Sequence, residues 1–327
     1  MLVAILSVLL GFVALLWSAD RLVSGASSLA AYLGIPSLII GLVVVGFGTS
    51  APEMVVSAVS AINGQTGLAV GNALGSNIAN VGLVLGATAL FYPLSVSSNI
   101  LRREFPALLL VTLVTGVLLA DGRLGRIDGM IFVLALFVVT GFIGWLGARG
   151  KDDILRDELA KEIPPRISNA KASTCVLIGL VVLPVSSQLL VTGAVSIARY
   201  MGVDSMILGL TVVAMGTSLP ELATCFAAAR RREHDLAVGN ILGSNMFNLL
   251  GVLGIAGLIK PTHLPELSMI RDFGIMSALT VVFLLLAYNS QGRGHLSRRA
   301  GALMLIAYFG YLGVLFATAH SSYSGPG

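Results

Sequence analysis

The chain has 327 residues, of which 56% are hydrophobic and only 11% charged. A soluble domain carries about 25% charged residues, so this composition excludes a water-soluble globular protein, and a mean hydropathy of +0.93 makes lipid the main solvent. The net charge of +4 comes from basic residues clustered in a few loops, a pattern of membrane sidedness and not of a nucleic-acid surface.

Apolar runs of about 20 residues, the length that crosses a bilayer, recur along the chain. The first, 2–31, is too long for the apolar stretch of a signal peptide. The second, 37–62, holds Gly48-Thr49-Ser50-Ala51-Pro52-Glu53 near its middle. The third, 67–91, holds Gly71-Asn72, Gly75-Ser76-Asn77 and Asn80. Runs 104–120 and 126–147 follow, then a charged segment, 149–172, that contains Pro164-Pro165 and reads as a solvated linker. The remaining runs are 173–200, 205–231, 235–259, 272–289 and 299–319. The predicted fold class is therefore all-α integral membrane, with ten transmembrane helices.

Alternate loops carry the basic residues. Arg102 and Arg103, six residues from Arg149 to Lys171, Arg230 to Arg232, and Arg293, Arg298 and Arg299 fall on one side. Only Arg123, Arg126, Arg199, Lys260 and Arg271 fall on the other. The positive-inside rule then puts the 149–172 linker in the cytoplasm and both termini outside, in a multi-pass protein of the cell membrane.

The chain also overlays itself at an offset of 168 (221 − 53). Residues 34–90 and 202–258 align without a gap, with 27 of 57 positions identical. The match extends upstream, pairing Gly11 with Gly179, Gly25 with Gly193 and Tyr32 with Tyr200. Each half holds five spans, so the second must enter the membrane from the opposite face. The expected organisation is a first five-helix repeat (1–148), the linker (149–172) and a second, inverted-topology repeat (173–327). Such repeats build secondary transporters, whose substrate sites lie near the midplane between the repeats.

The duplicated motif Gly-Thr-Ser-x-Pro-Glu carries the chemistry. Proline in a helix removes one backbone donor and clashes with the carbonyl four residues back. Pro52 thus frees the Gly48 carbonyl and Pro220 that of Gly216, and each kink is expected to loosen Gly46 and Ala214 as well. Freed backbone oxygens at membrane depth must face protein or a wet cavity, where they suit a cation. Glu53 and Glu221 follow the prolines, and no Lys or Arg lies in the cores of these spans to pair with them. Two adjacent carboxylates repel, and a bound cation removes that cost. Hydroxyls of Thr49, Ser50, Thr217 and Ser218 add hard oxygen donors, which suit calcium.

Asn72, Ser76 and Asn80 lie at i, i+4, i+8 on one helix face, and Asn240, Ser244 and Asn248 repeat them. These stripes can complete an ion's shell, whereas Asn77 and Asn245 point elsewhere and bond to backbone. The Gly71–Gly75 and Gly239–Gly243 pairs read as helix-packing surfaces. The two cysteines, Cys175 and Cys225, read as free packing thiols. Histidines at 234, 263, 295 and 320 fall in loops or at span ends, which argues against zinc or copper.

Two copies of GTSxPE, each followed by GNxLGSNxxN, resemble the alpha repeats of the sodium/calcium exchanger family, in its compact prokaryotic form. The resemblance covers nearly the whole chain. It implies ten helices, with the second and seventh broken around the ions. It implies metal ligands from the side chains of Thr49, Ser50, Glu53, Ser76, Asn80, Thr217, Ser218, Glu221, Ser244 and Asn248 and the carbonyls of Gly46 and Ala214. Ca2+ and Na+ are the implied substrates, exchanged by alternating access, with no cofactor, no catalytic residue and no protein partner beyond the lipid bilayer. Several family members carry aspartate where this chain has Asn80 or Asn248, so this site holds at most two negative charges. A proton/calcium or potassium-dependent sodium/calcium antiporter belongs to the same class, since carboxyls taken out of water hold protons more tightly. A cation channel fits an inverted repeat poorly. An intramembrane enzyme lacks a catalytic cluster, because the only other acidic pairs, Asp152-Asp153 and Asp157-Glu158, lie in the linker.

Overall fold

The computed structural model describes residues 1–35, 37–96, 104–149, 167–200, 214–264, 269–287 and 294–323. The described chain is helical, in the order α1 Leu2–Leu33, α2 Ile40–Ile62, α3 Thr66–Phe91, α4 Phe105–Leu118, α5 Arg126–Arg149, α6 Asn169–Tyr200, α7 Ala214–Thr217, α8 Leu219–Arg230, α9 His234–Ile259, α10 Ile270–Ala287 and α11 Arg298–Tyr323. Among the described residues, seven helices are long and apolar enough to cross a membrane: α1, α2, α3, α5, α6, α9 and α10. The shorter α4 is also apolar. Of the expected span 205–231, residues 205–213 lie outside the described residues, as do 150–166 of the linker.

The described chain is helical as expected, with short strands only in its loops. Four short strands form two antiparallel ribbons, β1 Leu94–Val96 with β4 Gly294–Leu296, and β2 Arg123–Leu124 with β3 Thr262–His263. Each ribbon joins a loop of one half to a loop of the other. Such strands are too short for a sequence pattern, because only their partner across the molecule makes them strands.

The duplication reaches the level of single turns. α2 and α8 close with the same hydrogen bonds. Gln65 N–H donates to the Ser60 carbonyl at 2.8 Å, and Glu233 N–H to that of Ala228 at 2.9 Å. Gly64 and Arg232 occupy the same left-handed turn, with φ of 81° and 62°. Glycine adopts that conformation freely, whereas arginine there costs about 1–2 kcal/mol.

α1 and α6 form a pair of their own. Both are 32 residues long. They run antiparallel and touch at backbone distance. A Cβ on Gly11 would lie 2.7 Å from Leu190 N, and one on Gly179 would lie 2.9 Å from Leu22 Cα. Gly25 and Gly193 bring the ends together in the same way, against Ala172 and Ala4. The outer faces of the pair expose Leu9, Leu10, Phe12, Leu177 and Val181, as lipid-facing helices do. Among the described residues, polar side-chain contacts also run from the pair to the rest, beside the packing of Leu180 on Gly48 and Val191 on Gly216. Asp20 on α1 accepts bidentate hydrogen bonds from Arg231 at 2.9 and 2.7 Å and a third from Arg230 at 2.8 Å, at the end of α8. Ser187 on α6 donates to the Gly216 carbonyl of α7 at 2.8 Å.

α2, α3, α8 and α9 form the interior, with α9 the most enclosed of the described spans. The Gly239–Gly243 pair packs against Leu38 and Leu42 of the other half. Nothing described comes within 4 Å of a Cβ on Gly71 or Gly75. The residues that match Leu38 and Leu42 at the repeat offset, 206 and 210, lie outside the described residues.

Candidate functional site

Both copies of the duplicated motif lie inside this core. Thr49, Ser50, Glu53, Ser76, Asn80, Ser218, Glu221, Ser244 and Asn248 are buried, with Glu53 and Glu221 each only 1% exposed. Gly46 is buried, Thr217 half-buried, and Ala214 opens α7.

The two halves handle their motif prolines differently. α8 begins at Leu219 after a turn at Ser218, so Pro220 sits in the first turn, where a missing N–H costs nothing. In the first half the helix continues through Pro52, and the irregularity lies upstream, as a π segment over Ile40–Val45. A break at the second span is thus replaced by a widened turn before Gly46. The carbonyl that Pro220 frees, on Gly216, accepts a hydrogen bond from the Ser187 hydroxyl at 2.8 Å.

Hydrogen bonds draw residues of both halves together. Thr49 Oγ1 lies 3.1 Å from Asn240 Oδ1, 3.3 Å from Ser244 Oγ and 3.4 Å from the Gly46 carbonyl. Ser50 and Ser244 both donate to Glu221 Oε1, each at 3.4 Å. Asn72 donates to the Glu53 carbonyl at 3.3 Å and to Ser57 Oγ at 3.0 Å, which holds α3 against α2. Ser50, three residues before Glu53, thus meets Glu221 of the other half. On the second stripe Asn240 Nδ2 approaches Cys225 Sγ at 3.5 Å. Cys225, free and buried as expected, stands where the first half has Ser57, under the Asn240 that meets Thr49.

Asn77 and Asn245 are corrections to the sequence reading. Asn77 does donate to a backbone carbonyl, that of Asn245, at 3.2 Å. Their side chains also meet amides of the two Asn-Ser-Asn stripes. Asn80 Nδ2 donates to Asn245 Oδ1 at 3.1 Å, and Asn248 Nδ2 donates to Asn77 Oδ1 at 3.0 Å. Helical spacing places Asn77 off its own stripe. It does not show that the opposite face meets the other half of the chain.

Five buried oxygens in these motifs have no hydrogen-bond partner among the described residues: Glu53 Oε2, Glu221 Oε2, Asn80 Oδ1, Asn248 Oδ1 and Ser218 Oγ. Leaving a buried acceptor unpaired costs about 1–3 kcal/mol, more for a charged one. Four of the five are pairs related by the repeat offset. A hard cation satisfies such oxygens together. Among the described residues no three His, Cys, Asp or Glu side chains gather, the arrangement softer metals favour.

Comparison with known proteins gives the same picture from outside the chain. The family described as "Sodium/calcium exchanger protein" matches residues 3–145 and 171–317, two stretches whose starts are 168 apart (171 − 3). The putative antiporter CaxA of Alkalimonas amylolytica is 46% identical over 97% of this chain and 100% of its own length. The inner membrane protein YrbG of Escherichia coli is 41% identical over 97% and 98%. Among solved structures, the sodium-calcium exchanger NCX_Mj at zero Na+ and Ca2+ superposes with a TM-score of 0.83 at 28% identity, covering 96% of this chain and 99% of that one.

Proposed function

The chain belongs to the sodium/calcium exchanger family, and from that premise we propose that it exchanges Ca2+ for Na+ through one site built from both copies of its duplicated motif. At the coarser level it is a multi-pass membrane cation/calcium antiporter. In the finer reading, ten spans form two inverted five-helix repeats in the cell membrane. The repeats are 1–148 and 173–327, with the 149–172 linker cytoplasmic and both termini outside. The antiparallel α1–α6 pair supports the inversion. The two ribbons support the sidedness, because each joins loops that the basic residues assign to one face.

The carrying observation is the set of unpartnered buried oxygens on Glu53, Glu221, Asn80, Asn248 and Ser218. In the proposed site these oxygens hold the ions, together with hydroxyls of Thr49, Ser50, Ser76, Thr217 and Ser244 and the carbonyls of Gly46 and Ala214. Glu53 and Glu221 are the only formal charges in this ligand set. One Ca2+ or two Na+ neutralises them, so either ion satisfies the same oxygens and the two compete. An empty site keeps two repelling carboxylates in a medium that stabilises charge poorly. That cost opposes reorientation of the empty protein, which makes the cycle exchange and not uniport. The α1–α6 pair, whose two helices touch at backbone distance along their length, is the element that slides to expose the site to one face and then the other. Cross-linking it to the core stops exchange in this reading.

The test uses proteoliposomes loaded with sodium and diluted into buffer free of sodium and potassium at matched pH. Calcium uptake is expected, and Glu221→Gln is expected to abolish it. Uptake that requires a pH gradient or added potassium would keep the site and change the counter-ion. Undiminished uptake by Glu221→Gln would overturn the site.

A further inference from the structure

We propose that Asn77 and Asn245 form a crossed amide clasp that sets which end of Asn80 and Asn248 faces the ions, and that this clasp makes position 248 demand an amide where a carboxylate would otherwise be a better ligand. The proposal rests on the ion site described above. It adds two positioning residues, neither of which is among the proposed ligands.

An asparagine side chain has an accepting end and a donating end of nearly the same shape. Only the oxygen can bind a cation, so the partner of the NH2 group decides whether the residue is a ligand. For Asn248 that partner is Asn77 Oδ1, at 3.0 Å. For Asn80 it is Asn245 Oδ1, at 3.1 Å. Each contact crosses from one half of the chain to the other. Each leaves the ion-facing Oδ1 buried and without a described donor.

The clasp is not equally firm at its two ends. Asn77 Nδ2 donates to the Asn245 carbonyl at 3.2 Å and lies 3.6 Å from Met276 Sδ. A carbonyl only accepts, so Asn77 cannot turn over without setting two acceptors against each other. Asn245 Nδ2 has no partner among the described residues. Asn77 is therefore the anchored member, and through it the orientation of Asn248 is determined.

Charge selectivity at position 248 follows. A carboxylate there has no proton to give Asn77 Oδ1, and the two would face each other as buried acceptors. Asn77 cannot turn to donate without losing the Asn245 carbonyl. Serine at position 77 removes the conflict, because a hydroxyl rotates to accept from an amide or to donate to a carboxylate.

The experiment measures the KM for calcium and the sodium concentration that halves calcium uptake in proteoliposomes, with Glu221→Gln as control. Asn77→Ala is expected to raise the calcium KM about tenfold, the worth of one misdirected buried ligand, with a much smaller change in maximal rate. Asn77→Ser is expected to stay near the native KM. Asn248→Asp alone is expected to be nearly inactive, and Asn77→Ser with Asn248→Asp to recover transport. If folded Asn77→Ala keeps both constants within about twofold of native, or if the double variant is no better than Asn248→Asp, the clasp is overturned. Should Asn77→Ala fail to fold, Asn245→Ala releases Asn80 alone and must raise the KM, and an unchanged KM overturns the proposal equally. Native transport by Glu221→Gln would instead overturn the ion site itself, which separates the two failures.

Discussion

The α1–α6 pair and the four-helix core both carry buried hydroxyls, and they use most of them differently. In the pair Ser18 bonds to the Ala14 carbonyl of its own helix, Ser28 to that of Ser24 and Ser186 to that of Val182, whereas Ser187 reaches out to Gly216 of α7. In the core Thr49, Ser50 and Ser244 reach across to other helices. A hydroxyl that returns to its own backbone leaves a smooth helix with nothing to offer a neighbour. One that reaches across ties elements together and keeps oxygen available to a third party. Among the described residues, the core holds the unpartnered buried oxygens of Glu53, Glu221, Asn80, Asn248 and Ser218.

The sharpest way to break this contrast is Ser244→Ala. It removes a hydroxyl between Thr49 and Glu221 and is expected to weaken calcium affinity about tenfold, read from the concentration dependence of uptake. Gly11→Val attacks the pair. Its side chain would meet the Leu190 backbone, which cannot give way as a side-chain tip can, so the helices must part, at a cost of about 1–3 kcal/mol. A fall in melting temperature in detergent checks it, and an unchanged melt would mean the pair does not touch at Gly11. Asp20→Asn loosens the link between pair and core. Asp20 and Arg231 keep side-chain exposures of 28% and 29%, so the bidentate contact is worth about 1 kcal/mol and a smaller drop in melting temperature is expected. Ser18→Ala should do least, about 0.5 kcal/mol or less, with exchange at the native rate. A large transport defect from Ser18→Ala would erase the distinction between the two regions.

Much of this was legible in the residues themselves. The offset of 168 exposed the duplication, and the paired Pro-Glu steps pointed to the buried carboxylates. What stayed hidden depends on neighbours far away in the chain. The spacing rule gave Asn77 a backbone partner, and it has one. The rule could not see Asn248 arriving from the other half. The two ribbons were invisible for the same reason. Pro52 misled in a different way, because the helix absorbed it and shifted the irregular turn to Ile40–Val45, where no residue announces a break. The contact between Cys225 and Asn240 stayed hidden as well, since it joins two helices.

The glycine seam between α1 and α6 has a consequence for how the protein is made. Gly11 meets Leu190, a residue 179 positions later (190 − 11). α1 is synthesised before α6, so its partner does not exist until the rest of the first half and the linker have been made. Asp20 on α1 waits longer still, because Arg230 and Arg231, which pair with it, come after α6. The seam therefore closes only after the helices between its two members have been made.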